Sequence, residues 1–276
     1  MVLTGHARLA GVIGWPVAHS RSPRLHGTWL ARHAIDGAYL PLPVAPADFA
    51  DCVRALARMG FAGANVTLPH KEAAFAVCNR VDAGAHRAGA VNTLIFRGGR
   101  IIGSNTDGVG FIANLRAHGV NPAAGPALIL GAGGAARAIG VALVEAGAAV
   151  TFCNRTADRA AMLASLVPGA TIGWEARHAA VADHALVVNT TALGMAGQPP
   201  LDLDLDAAEP TLAVADIVYV PLETPLLAAA RARGLLAVGG LGMLLHQAVP
   251  GFAAWFGVTP VVDEAIYRIV AADLPA

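Results

Sequence analysis

The sequence predicts an α/β protein built on parallel sheet, and three observations carry that prediction. Short apolar runs recur with helix-length segments between them, which is the pattern of βαβ repeats. One run, Ala127–Leu130, leads through Gly131, Gly133 and Ala136 into a helix-forming segment, 135–146, and then into a second run, Val150–Cys153. The composition agrees, with 276 residues, 55% hydrophobic, only 14% charged and 31 glycines. That is enough chain for two medium domains or one large one.

Taken in order, Leu9–Gly14 reads as a buried strand, and the polar stretch 15–22 follows it. Ser22-Pro23 opens a helix to about His33, with serine in a capping place and proline in the first turn. Tyr39–Val44 is the next strand and 46–59 the next helix. Gly63–Val66 is a third strand, which runs into Asn-Val-Thr-Leu-Pro-His-Lys-Glu (65–72). Ala90–Phe96 and Arg100–Gly103 form a hairpin about Gly98-Gly99, and Val109–His118 is a helix that Thr106 or Asp107 could cap. After the connector 121–126 comes the glycine-turn unit. Helix 157–166, strands 186–189 and 212–217, helix 225–234 and strand 235–238 follow. The apolar helix 240–256 and a last helix, 261–272, close the chain.

The glycine-turn unit says most about function. Strand, G-x-G-x-x-A, helix and strand within some thirty residues form the dinucleotide fingerprint of a Rossmann unit. Gly131 permits the tight turn, and Gly133 lets backbone approach a pyrophosphate. The small residue at 136 lets helix and strand pack, while the helix N-terminus faces the anion. A glycine turn can also be a mere tight connection, but here it stands between a buried strand and a helix. NAD sites place Asp or Glu after the second strand. This chain has Asn154-Arg155-Thr156 there, with Arg159 one turn later. Guanidinium groups suit a ribose 2′-phosphate, so the expected cofactor is NADP.

Polar residues at the ends of other strands mark a second site, as expected of open α/β sheets. Ser20 and Ser22 put two hydroxyls at a helix N-terminus, which can hold a carboxylate. Asn65 and Thr67 interrupt an apolar strand at its C-terminal end. Lys71 sits in the first turn of a helix, where a cation is disfavoured by the dipole, and suits proton transfer. Asn92, Asp107 and Gln247 add further polar groups. Met243 reads as core, whereas Gln247, on an otherwise apolar helix, requires a polar partner. His19 and His26 read as neighbours of this site, since no third ligand has metal-site spacing.

Several classes are disfavoured. The formal net charge is zero and no basic patch stands out, so nucleic acid is not an expected partner. Mean hydropathy is high, at +0.55, yet no uncharged apolar run reaches the eighteen or so residues of a membrane span. Cys52, Cys78 and Cys153 have neither disulfide-framework nor metal spacing, which fits buried free thiols and a cytoplasmic protein.

The ordered set GVIGWPVAHSRSP (11–23), GANVTLPHKEAA (63–74), GAVNTL (89–94), GSNTDGVGF (103–111), GAGGAARA (131–138), NRTADR (154–159), NTTALGM (189–195), DIVYVPLETPL (216–226) and GLGMLLHQA (240–248) covers nearly the whole chain. It resembles the shikimate dehydrogenase family. The resemblance implies an N-terminal open α/β substrate domain, 1–108, completed by helices 240–276, with a Rossmann NADP-binding domain over 109–239 and an active-site cleft between them. It assigns Lys71 and Asp107 to catalysis. Ser20, Ser22, Asn65, Thr67, Asn92, Asp107, Tyr219 and Gln247 become substrate ligands. Gly131, Ala132, Gly133, Gly134, Ala135, Asn154, Arg155, Thr156, Arg159, Thr190, Ile217, Gly240 and Met243 become cofactor ligands. The implied reaction is reversible NADPH-dependent reduction of 3-dehydroshikimate to shikimate, in chorismate and aromatic amino-acid biosynthesis, by a monomer or homodimer. Many fixed hydroxyl-binding groups agree with a polyhydroxylated acid. Broader quinate/shikimate activity and a non-catalytic NADP-binding regulator are the alternatives. A regulator need not keep Lys71 with Asp107. Two positions depart from the family pattern: Asn79, where an acid is frequent, and His246, where a small residue is common.

Overall fold

The computed structural model describes residues 2–275. The chain divides into two compact units, one ending at Thr106 and resumed over Gln247–Ala272, the other spanning Asp107–His246 and rejoined from Asp273.

The first unit runs β1 (Arg8–Gly14), α1 (Ser22–Arg32), β2 (Gly37–Pro43), α2 (Phe49–Arg58), β3 (Gly63–Val66), α3 (Lys71–Val77), β4 (Arg80–Val81), α4 (Ala83–Ala88), β5 (Thr93–Arg97) and β6 (Arg100–Ser104). Its sheet has the order β2-β1-β3-β5-β6-β4. The first three strands are parallel, β5 is antiparallel to both β3 and β6, with the latter of which it forms a hairpin, and β4 pairs parallel to β6 at the edge. Arg97 faces Arg100 across Gly98 and Gly99, whose φ values of 58° and 72° are those of a two-residue primed turn. One sheet face carries Ile13, Ala64, Val66, Leu94 and Ile101 in a buried cluster.

Pairing of Ala10 with Tyr39, and of Val12 with Asn65, puts Tyr39 and Asn65 together on the opposite face. There they meet the aromatic side chains of α1 and of the C-terminal helix segment. The short β4 and α4 lie where the sequence pattern predicts no element. The helix at Ser22 also differs in detail from the expected cap. Arg21 occupies the capping position with no side-chain bond, and Ser22 is already the first helical residue.

The second unit runs α5 (Asp107–Ala117), β7 (Ala127–Leu130), α6 (Gly134–Glu145), β8 (Val150–Cys153), α7 (Ala157–Leu166), β9 (Ala170–Ile172), α8 (Arg177–Ala180), β10 (Leu186–Asn189), β11 (Ala213–Asp216), α9 (Pro225–Ala232) and β12 (Leu236–Val238). Its six-stranded sheet, β12-β11-β10-β7-β8-β9, is parallel throughout. This is the Rossmann order, with its reversal between β7 and β10. Alternate residues of β7 explain the continuous apolar run. Ala127 and Ile129 enter one core cluster, Leu128 and Leu130 the other, and all four are fully buried.

Helix α10 (Gly240–Phe256) carries the chain from the second unit back into the first, where α11 (Glu264–Ala271) packs on α1. The last helix starts later than expected because Asp263 caps it, accepting from the Ile266 N–H at 2.8 Å. Among the described residues no helix is long and apolar enough to cross a membrane.

Candidate active site

In the second unit, the turn after β7 lies at the topological switch point. Gly131 has φ +114°, a conformation that side-chain-bearing residues rarely adopt. A Cβ placed there would lie 2.5 Å from Thr190 Oγ1. That hydroxyl donates to the Leu130 carbonyl at 2.7 Å, so the end of β10 braces the turn. Gly133 and Gly134 differ: a Cβ on either would meet nothing within 4 Å. The first turn of α6 therefore presents open space and unpaired N–H groups, which suits a pyrophosphate. Ala136 is fully buried against the sheet, as the small-residue position requires. Ala132 and Ala135 flank the turn, half-buried.

At the end of β8, Arg155 and Arg159 are exposed, and neither is paired with an acid among the described residues. Two unpaired guanidinium groups at the start of α7 oppose its dipole, a placement that suits a bound anion. Asn154 Nδ2 donates to the Thr156 carbonyl at 3.0 Å, which pins this loop. Thr156 stands at the helix cap, but its hydroxyl makes no capping bond. Gly240 opens α10 tight against the backbone of Ile217 and Val218, leaving no room for a Cβ. Ile217 and Met243 pack partly buried on the unit's main core, so Met243 fills the core role read from its position. Tyr219 is half-buried.

Asp216 is the last residue of β11. The structure makes it a fixed point of this unit. Its carboxylate accepts from Asn189 Nδ2 at 3.0 Å, Val218 N at 3.0 Å and Thr224 Oγ1 at 2.8 Å. Burial raises its pKa, and these three donors offset part of the rise. The carboxylate thereby joins β10, β11 and the cap of α9.

In the first unit the polar residues converge. Asn92 Oδ1 accepts from the Thr106 N–H at 2.9 Å, Thr106 Oγ1 at 3.1 Å and Thr93 Oγ1 at 3.0 Å. Thr106 Oγ1 also reaches Gln247 Oε1 at 3.3 Å. Asn92 Nδ2 donates to Gln247 Oε1 at 3.3 Å, which is the polar partner Gln247 requires. Asn65 Nδ2 reaches the Asn92 carbonyl and Thr93 Oγ1, both at 3.2 Å, while Asn65 Oδ1 accepts from Tyr39 Oη at 2.6 Å. Ser20 Oγ accepts from the Ser22 N–H at 3.3 Å, and Thr67 is half-buried just beyond β3. Lys71 is the first residue of α3, half-buried, with its carbonyl held by the Val91 N–H at 2.9 Å. Asp107, mostly buried, begins α5 in the second unit.

His26 is fully buried. It stacks on Tyr39 with centroids 3.9 Å apart and planes 1° from parallel. Neither ring nitrogen has a hydrogen-bond partner. Burial pulls its pKa down to about 3, and the nearby Asn65 amide offsets a little of that without forming a bond of ordinary geometry. It is a neutral ring packed among Trp29, Tyr39, Phe252 and Trp255. Among the described residues no group of three His, Cys, Asp or Glu side chains could hold a metal. The thiols are free, with Cys153 buried but Cys52 and Cys78 only half-buried, where full burial was expected. Tyr39, Thr93 and Thr106 are the members of this network that sequence reasoning passed over. The threonines had one signal, a polar residue at or just beyond the end of an apolar strand, and Tyr39 had none.

The comparisons with known proteins agree along the chain. Residues 12–94 match the family model described as the shikimate dehydrogenase substrate binding domain. The chain is 77% identical over 274 residues to the shikimate dehydrogenase (NADP(+)) of Acidiphilium cryptum (strain JF-5), covering 99% of each. It is 57% identical to the protein of that name from Rhodospirillum rubrum, covering 98% of this chain and 99% of the other. Among solved structures it matches shikimate 5-dehydrogenase from Thermus thermophilus, in complex with NADP(H) and shikimate. That match has TM-score 0.87 and 37% identity, and covers 96% of this chain and 98% of the other. Such identity over nearly the full length places the sequence plainly: the chain belongs to the shikimate dehydrogenase family.

Proposed function

We propose that this chain is an NADP-dependent shikimate dehydrogenase that interconverts 3-dehydroshikimate and shikimate. The observation that carries the reading is its 77% identity, over 99% of both chains, to a shikimate dehydrogenase (NADP(+)). The turn at 131–134 supports it, since its open first turn is a cradle that a Cβ would fill. Arg155 and Arg159 support NADP over NAD by offering bidentate donors to a 2′-phosphate.

The first unit is the substrate domain and the second the cofactor domain. When bound, NADPH supplies the hydride that reduces the carbonyl at C3. Ser20 and Ser22 hold the substrate carboxylate at the N-terminus of α1, with Tyr219 assisting. Asn65, Thr67, Asn92 and Gln247 bind ring hydroxyls, and the bonds from Asn65 to Asn92 and from Asn92 to Gln247 hold those three ready in place. Lys71 gives a proton to the C3 oxygen as negative charge develops there, and takes it back in the reverse direction. Asp107 orients the Lys71 ammonium and binds substrate. Gly131–Ala135, Asn154–Arg159, Thr190, Ile217, Gly240 and Met243 shape the cofactor site.

Substrate choice tests the reading. Quinate adds a tertiary hydroxyl on the carboxylate-bearing carbon, beside Ser22. Without a partner it is left desolvated, at about 1–3 kcal/mol. With saturating NADP, kcat/KM for shikimate should exceed that for quinate by about tenfold or more. Comparable values, or a preference for quinate, would overturn the shikimate assignment. Binding of NADP without turnover of either acid would favour a regulator.

A further inference from the structure

The amide of Asn65 has both ends committed before any ligand arrives. Its two N–H groups point to the Asn92 carbonyl and to Thr93 Oγ1, each at 3.2 Å. Thr93 cannot donate back, because its one proton goes to Asn92 Oδ1 at 3.0 Å. The Asn65 oxygen takes the short bond from Tyr39 Oη at 2.6 Å. A flipped amide would set its oxygen against the Asn92 carbonyl, two acceptors with no proton between them. The orientation is therefore fixed, and one lone pair on Oδ1 is what remains for a ligand.

Tyr39 is itself held from several sides. Its ring lies 3.9 Å from that of His26 and parallel to it, and Trp255 closes a further side at 6.0 Å. The phenol is nearly inaccessible, with 6% of the residue exposed, as is Asn65 with 5%. Burial raises the tyrosine pKa, and the Ser22 hydroxyl beside it offsets this slightly, so the phenol keeps its proton as a donor. Strand register explains why these two residues meet: both stand on the α1 side of the sheet, on the strands that flank β1.

We propose that Tyr39 is a positioning residue for substrate binding, aiming the Asn65 carbonyl oxygen so that it accepts from a substrate hydroxyl. The inference rests on the substrate reading above and deepens it. Tyr39→Phe keeps the ring stack and removes only the donor, so the fold is retained and the Tm moves little. The expected result is a rise of about fivefold or more in KM for shikimate. KM for NADP stays within twofold, and kcat falls less than KM rises.

A double-mutant cycle separates this role from general packing. In an Asn65→Ala background, Tyr39→Phe should add less than twofold, because its effect passes through Asn65. A KM for shikimate within twofold of wild type overturns the proposal, as do multiplicative effects in the cycle or an equal rise in KM for both substrates. Wild-type protein that turns over no shikimate overturns the functional reading and this inference together. Normal turnover with an unaffected Tyr39→Phe variant overturns this inference alone.

Discussion

Two glycines two residues apart should fail in opposite ways when replaced by alanine. At Gly131 the backbone has φ +114°, which costs a non-glycine residue about 1–2 kcal/mol. The new methyl would also lie 2.5 Å from Thr190 Oγ1. Moving that hydroxyl weakens its bond to the Leu130 carbonyl, at 2.7 Å in the native protein, for about 1 kcal/mol more. Gly131→Ala should therefore destabilise the nucleotide unit by roughly 2–3 kcal/mol, or about 4–12 °C in Tm for a unit of this size. At Gly133, φ is −95° and nothing stands within 4 Å of the added carbon. Gly133→Ala should leave Tm within about 2 °C, given the small entropic gain of Gly-to-Ala changes. It should raise KM for NADP about tenfold, because the methyl occupies the space of the pyrophosphate. Differential scanning calorimetry and steady-state kinetics on both variants make the test. A Gly133→Ala enzyme with native NADP affinity would refute the cradle, and an unshifted Tm for Gly131→Ala would refute the strain argument.

Other perturbations follow from the same geometry. Lys71→Ala should lower kcat by about a hundredfold or more with a smaller change in KM, and near-normal turnover would remove Lys71 from proton transfer. Arg155→Ala, and Arg159→Ala to a lesser degree, should raise KM for NADP about tenfold or more while sparing any NAD activity. Equal loss with both cofactors would make the arginines structural. His26, held neutral with its pKa near 3, stabilises the fold above pH 6.5, and that contribution fades as pH falls toward 3. The slope is about 1.4 kcal/mol per pH unit. His26→Phe should therefore flatten the acid limb of a urea-denaturation pH profile, and an unchanged limb would place the titration elsewhere.

The second unit was the more legible in sequence because its strands are buried on both faces. The runs 127–130, 150–153 and 186–189 coincide with β7, β8 and β10 to the residue, since solvent-free strands admit little but apolar side chains. Elements held mainly by tertiary context left no such trace. The two residues of β4 pair with Ile102 and Gly103 of β6, and three-residue β9 is mostly exposed along an edge. Neither is long enough to show a period. The cap of α1 lies one residue earlier than the sequence signal, also through local context. Serine before proline is a sound start signal, yet Ser20 already serves the Ser22 N–H and moves the boundary to Arg21.

The candidate site was legible to the extent that its residues break a pattern. Asn65 and Thr67 end an apolar strand, Lys71 sits at the wrong pole of a helix, and Gln247 interrupts an apolar one. Tyr39 breaks nothing. A tyrosine in a strand is ordinary, and its importance depends on register: Ala10 opposite Tyr39, Val12 opposite Asn65. Only pairing across three strands brings the phenol to the amide. The same holds for Thr93 and Thr106, whose hydroxyls both serve Asn92 Oδ1. Sequence thus shows which groups are too polar for their place. Which of them has its donors and acceptors already spent, and what it can still offer a ligand, emerges only once the hydrogen bonds are counted. For Asn65 the count ends at a single acceptor, and an acceptor discriminates a hydroxyl from a carbonyl where a free amide would take either.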